Sequence, residues 1–242
     1  MKIIAVASGK GGTGKSCVAA YTGAAFAAAG KKVLVMELGH DPRSQDLILG
    51  IEETALFSVH DVLDGACGFD EAVAASGVGG NLHVLPCAPA PWHVTVGRPE
   101  FESLMAGMKE TAPYDYIILD GVDFSAFPPD ICDCILNVVN PETLCVRAAA
   151  VLTRLLYDRG ARDVRLVINN VPVQILPMAG IDDFDDLIDT VGAQLIAVVP
   201  ASPKLRYAAN NTALIDEDSM APKVFERLAM RIQGESLPLL VK

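Results

Sequence analysis

Between its first apolar run and a long stretch of small residues the chain carries "SGKGGTGKS", Ser8 to Ser16, with four glycines in the seven positions Ser8 to Gly14. That glycine density rules out a helix or strand interior and marks a tight turn whose backbone must reach unusual conformations or approach another group closely. Lys2 to Ala7 reads as a short buried strand, too short for a signal-peptide core, and the segment from Lys15 to Ala29 reads as an Ala-rich helix. Strand, glycine turn and helix together form the opening of a βαβ unit.

The turn satisfies two patterns. As G-x-G-x-x-G its glycines are Gly9, Gly11 and Gly14, with Glu37 at the distance of a ribose-binding carboxylate. As G-x-x-x-x-G-K-[ST] it ends in Gly14, Lys15 and Ser16. A dinucleotide turn needs no cation after its last glycine, whereas a phosphate loop needs both residues that follow here. Its N–H groups cradle phosphates, its lysine neutralises their charge, and its hydroxyl ligates Mg²⁺. The expected companion is an acid ending a later buried strand, and "YDYIILD" supplies Asp120. The chain therefore reads as a binder of ATP or ADP with Mg²⁺, the metal held at Ser16 and Asp120. An oxidoreductase built on the first pattern lacks any identifiable catalytic constellation.

Apolar runs near 2–7, 32–38, 81–86, 115–120, 134–139, 164–169 and 194–199 alternate with helical patterns near 15–29, 99–111, 142–159, 181–191 and 222–233. Runs such as "YIILD" and "LIAVV" lack polar alternation, as strands covered on both faces do. The expected fold is α/β, a doubly wound, mostly parallel sheet with helices on both faces, with residues 1–242 forming a single domain. Six cysteines, mostly inside apolar runs, suit a reducing cytoplasm, and the C-x-C of Cys132 and Cys134 has no second pair to complete a four-ligand site. A net charge of −11 gives no electrostatic reason to seek nucleic acid or anionic lipid.

With its extra Lys10, "GKGGTGKS" resembles the deviant phosphate loop of the MinD/ParA family of dimeric ATPases. The resemblance extends over nearly the whole chain, through "PRSQDLILGI" (42–51), "SVHDVLDGACGFDEAV", "NLHVLPCAP", "NPETLCVRAA" (140–149), "VINN" (167–170), "DDLIDTVGAQLIAVVP" (185–200) and "LRYAANN" (205–211). It implies that Lys15 contacts the terminal phosphates and that Lys10 reaches across an ATP-bridged homodimer to the partner's phosphates. Gly12, Thr13 and Cys17 would belong to the nucleotide site with the rest of the loop, and Asn169 and Pro200 would line the adenine. It also implies a regulatory protein partner of MinE or MinC type.

The chain departs from the family at both switches. After the second strand the family carries D-x-D, and here Glu37 and Gly39 stand in those places, with Asp41 two residues on. After the later strand the family's Asp-[Ser/Thr]-Pro-Ala-Gly is replaced by "DGVDF", Asp120 to Phe124. Gly39 has no side chain to orient water, and losing one positioned polar group costs roughly 3 kcal/mol, about a hundredfold in rate. Phe124 would hinder approach of the backbone to the third phosphate, and Asp41 or Asp123 could fill the gap only after loop movement. Slow Mg²⁺-dependent ATP hydrolysis is expected. The closing "GESLPLLVK" lacks the basic amphipathic helix of a membrane anchor, and Phe225, Leu228 and Ile232 read as a core-facing stripe. Two functions compete: an ATP-dependent spatial switch in division-site selection or positioning of a surface structure, and a nucleotide-binding scaffold with degraded switches and little or no ATPase activity.

Overall fold

Apolar runs with no polar face cannot leave either side open to water, and here they pair into one sheet covered on both faces. The computed structural model describes residues 1–39, 43–88, 95–108, 113–172, 184–211 and 220–240. Its strands are β1 (Lys2–Ala7), β2 (Val33–Glu37), β3 (Ala74–Ala75), β4 (Leu82–Leu85), β5 (Tyr116–Asp120), β6 (Cys134–Val139), β7 (Val164–Val171) and β8 (Gln194–Pro200). They lie in the order β3-β4-β2-β5-β1-β6-β7-β8, and every neighbouring pair is parallel except β3 with β4. The expected doubly wound architecture is the observed one.

Alternate strand residues serve opposite faces. Ala5, Leu34, Met36, Ile117 and Ile135 belong to one buried cluster, while Ile4, Val6, Val35, Ile118 and Leu136 belong to the other. The first face is covered by α3 (Val59–Leu63), α4 (Phe69–Ala72), α5 (Arg98–Met108), α6 (Thr143–Asp158) and α7 (Phe184–Val191). The second is covered by α1 (Lys15–Ala28), α2 (Gln45–Leu49), α8 (Pro203–Asn210) and α9 (Met220–Ile232). Phe225 and Leu228 of α9 are buried with Ile232 packed beside them, so the stripe faces the core as expected. Leu239 and Leu240 pack against the first and second cluster respectively.

The pieces invisible to periodicity are short: β3 and the helices α2, α3, α4 and α8. In α2, α3 and α4, four or five residues complete scarcely more than one turn, so no 3.6-residue repeat emerges, and the eight residues of α8 make little more than two turns. Local capping sets α3, where Ser58 Oγ accepts from the Asp61 N–H and Asp61 Oδ2 accepts from the Ser58 N–H and hydroxyl. The helices anticipated near 99–111 and 181–191 run over Arg98–Met108 and Phe184–Val191, and positions 109–111 and 181–183 lie outside the described residues.

Phe26 of α1 is fully buried and stacks on Tyr116 of β5 with ring centroids 3.9 Å apart and planes 14° from parallel. Phe26→Ala is expected to cost about 3–5 kcal/mol of unfolding free energy, as removal of a buried ring commonly does. Urea denaturation checks this; the midpoint falls while the slope stays unchanged.

Candidate functional site: a phosphate loop beside a buried carboxylate

The glycine loop leaves the C-terminal end of β1, which lies between β5 and β6, and runs directly into α1. Ser8 fastens its start: the hydroxyl donates to the Lys10 carbonyl at 3.0 Å and accepts from the Lys10 N–H at 3.3 Å. Asn169 of β7 fastens its end by donating from Nδ2 to the Thr13 carbonyl at 2.7 Å. That strut requires Gly14, which has φ 90°, and a Cβ there would lie 2.3 Å from Asn169 Nδ2. Gly9 is needed for another close approach, since its Cβ would fall 2.2 Å from the Ala148 carbonyl oxygen of α6. Around the Cβ positions of Gly11 and Gly12 nothing lies within 4 Å, so this edge of the loop is open.

Lys15 and Ser16 open α1, where free helical N–H groups favour an anion. Lys10 Nζ lies 3.8 Å from Glu142 Oε2 at the head of α6, an exposed pair of little energetic weight that water leaves free to separate.

Asp120 ends β5 and is only 2% exposed. Gln45 of α2, itself fully buried, donates from Nε2 to Asp120 Oδ2 at 2.7 Å and to the Ser16 carbonyl at 3.0 Å. Burial pushes the Asp120 carboxyl pKa up; hydrogen bonds from Gln45 and Ser16 oppose the rise, the Glu37 carboxylate adds to it, and Lys15 pulls it back. Asp120 Oδ1, Gln45 Oε1 and Thr13 Oγ1 are buried without a hydrogen-bond partner. Buried oxygens are rarely left so. A carboxylate and a hydroxyl at Asp120 and Ser16 form the oxygen donor set that a hard divalent cation prefers, so these residues fit Mg²⁺.

Glu37 has a different task from either sequence pattern. Its Oε1 accepts from the Ser44 N–H at 2.7 Å, the Ser44 hydroxyl at 2.9 Å and the Gln45 N–H at 3.2 Å, and its Oε2 accepts from the Cys87 N–H at 3.4 Å. The carboxylate is saturated by its own chain and is not offered to a ribose, which removes the structural basis of the dinucleotide reading. Gln45 was not singled out by the sequence, where nothing marks one glutamine in "PRSQDL" as buried against a carboxylate.

At the switches, a Cβ on Gly39 would lie 3.1 Å from Gly121 Cα, and one on Gly121 would lie 2.5 Å from Gly39 Cα. The Phe124 ring is buried and meets Phe127 edge-on with centroids 6.2 Å apart, so it is committed to the core rather than projected as bulk toward the loop. Asp123 Oδ1 accepts from the Ser125 N–H at 2.8 Å within its own turn. Asp41 lies outside the described residues.

A cavity of about 410 Å³ adjoins the loop, lined by Gly12, Thr13, Gly14, Cys17, Asn169 and Pro200 together with Arg43, Ser44, Leu205 and Arg206. The remaining anticipated residues, Gly9, Lys10, Gly11, Lys15, Ser16 and Asp120, are not part of this lining. The cavity opens at the carboxyl ends of the strands, where open α/β sheets bind ligands. A second cavity of about 450 Å³, around Lys2, Asp133 and Asp163, lies at the opposite strand ends, away from the loop. Burial and the neighbouring Asp120 charge push the Cys17 thiol pKa up, favouring its neutral form. Among the described residues no cluster of His, Cys, Asp and Glu resembles a metal centre, and no helix is long and apolar enough to cross a membrane.

A model of the CobQ/CobB/MinD/ParA nucleotide binding domain matches residues 4–215. The chain belongs to this MinD/ParA family. Among its relatives, the septum site-determining protein MinD of Synechocystis is 29% identical over 99% of this chain and 92% of its own. MinD of Thermotoga maritima is 30% identical over 98% and 90%. Among solved structures, the MinC:MinD cell division protein complex of Aquifex aeolicus superposes with a TM-score of 0.85 at 29% identity, covering 99% of this chain and 98% of that one. MinD of Pyrococcus horikoshii, complexed with Mg-ADP, shares the fold with a TM-score of 0.75 at 23% identity, covering 96% and 95%.

Because burial raises the Asp120 pKa, holding this carboxylate ionised costs stability in the folded protein. The sign follows: the folded state binds its proton more tightly, so Asp120's contribution to stability falls as pH rises from about the ordinary carboxylate value through the raised one. Asp120→Asn is expected to raise the melting temperature of the nucleotide-free protein at pH 7.5 and to give no gain near pH 4. The same variant loses Mg²⁺-dependent stabilisation by nucleotide. Thermal melts at both pH values, with and without Mg-ADP, check this.

Proposed function

We propose that the protein is an ATP-dependent spatial regulator of the MinD type, acting in placement of the division site. The observation that carries this reading is the fastened phosphate loop set against Ser16 and Asp120, in a chain similar to MinD over nearly its full length. Residues 1–242 act as one nucleotide-binding domain. Gly9 to Gly14 wrap the phosphates with backbone N–H groups, Lys15 neutralises the terminal charge, and Ser16 with Asp120 holds Mg²⁺, which offsets phosphate charge when bound. Cys17, Asn169 and Pro200 line the space for the nucleoside.

Lys10 reaches across an ATP-bridged homodimer. Its weak pairing with Glu142 leaves it available, and Glu142 sits at the head of α6. The helix also meets the loop through the Gly9–Ala148 contact, and Leu144, Val151 and Leu155, exposed, share that side of it. An apolar face touching the phosphate loop is suited to a regulatory protein that reads the nucleotide state. The relative from Aquifex aeolicus is complexed with MinC, and a partner of that type is proposed here.

Hydrolysis by the protein alone is slow. Gly39 cannot orient water, and Gly39→Asp is no simple repair because its Cβ would press on Gly121. The alternative of an inert scaffold has no observation of its own in its favour.

Lys15→Ala is expected to abolish ATP and ADP binding while leaving the fold intact, checked by calorimetric titration and circular dichroism. Preferential binding of NAD by the parent, or unchanged affinity in the variant, overturns the assignment. Lys10→Ala is expected to bind nucleotide yet remain monomeric when the parent dimerises with Mg-ATP. Analytical ultracentrifugation distinguishes them, and a parent that stays monomeric removes the dimer.

A further inference from the structure

Gln45 is a fully buried amide wedged between the loop helix and the end of β5. Its orientation is fixed by chemistry. The Ser16 carbonyl can only accept, so the Nε2 side must face it, and the second Nε2 proton goes to Asp120 Oδ2. Oε1 therefore sits on the other side of the amide, buried and without a partner. Asp120 Oδ1 is in the same condition. Two desolvated acceptors in one cluster, one belonging to a carboxylate, are costly unless a cation or a proton donor joins them.

We propose that Gln45 is a positioning residue of the divalent-cation site. By occupying Oδ2 of Asp120, Nε2 orients the carboxylate and leaves Oδ1 for the cation. The inference rests on the nucleotide-and-Mg²⁺ reading above and adds to it a residue on α2. Glu37 belongs to the same device, because its carboxylate receives the Ser44 N–H and hydroxyl and the Gln45 N–H, anchoring the start of the five-residue helix that carries Gln45. Groups that hold a metal ligand in place without touching the metal commonly alter affinity about 10–100-fold when removed.

The test uses the full chain and its Gln45→Leu and Gln45→Met variants. Binding of fluorescent ADP is titrated with Mg²⁺, repeated in EDTA, and accompanied by thermal melts without nucleotide. The expected result is an increase of about tenfold or more in the Mg²⁺ concentration at half-effect, with nucleotide affinity in EDTA unchanged. A folded variant with the parent's Mg²⁺ midpoint overturns the proposal, whatever its melting temperature, because Gln45 then serves only packing. Failure of both variants to fold overturns it equally, since methionine matches the glutamine in length and removes only its polar groups. A parent that binds ADP without regard to Mg²⁺ refutes the underlying cation reading instead, and the parent titration alone reveals that case.

Discussion

The parallel pairing of β5 with its two neighbours is the constraint from which the site follows. Val6 of β1 stands opposite Asp120, and so does Glu37 of β2. The first pairing brings the carboxylate beside the strand that launches the phosphate loop. The second places two acidic residues on adjacent central strands, both almost wholly removed from water. Two such charges raise each other's energy unless each is compensated. Glu37 is given three backbone N–H donors and a hydroxyl, whereas Asp120 is given the Gln45 amide and keeps one oxygen in reserve. The unequal compensation separates a carboxylate bound up by its own chain from one that keeps an unpartnered oxygen.

The fold was legible because its strands are unbroken apolar runs that only a sheet covered on both faces can hide. The loop was legible because glycine, lysine and serine are each required by a different part of one task. Gln45 and the inward role of Glu37 were not, since both depend on which polar side chain turns toward which backbone group after β2 ends. Asn169 shows the same limit from another direction. Its sequence position suggested the base site; it does line the cavity, but its amide also supports the loop through the Thr13 carbonyl. Phe124 looked like an obstacle at a switch because the sequence does not reveal that its ring turns into the core against Phe127.

The loop and α6 are connected by contact rather than by a long relay. The Ala148 carbonyl occupies the place a side chain at position 9 would take, so the loop cannot shift toward α6 without moving that helix. Close-packed interiors transmit such displacements instead of absorbing them. A displacement of the loop thus has a short route to the exposed face of α6.

The abutment of Gly39 and Gly121 carries a consequence for how this chain can change over generations. Each bare backbone occupies the room that the other's side chain would need, and Gly121 also sits at φ 73°, where other residues are strained. Substitutions at the two positions are therefore expected to be non-additive, since a side chain gained at 39 requires the turn at 121 to give way locally. A lineage gaining a side chain at position 39 meets less resistance once the second turn has shifted, which makes the order of mutations, and not their number alone, matter for this pair.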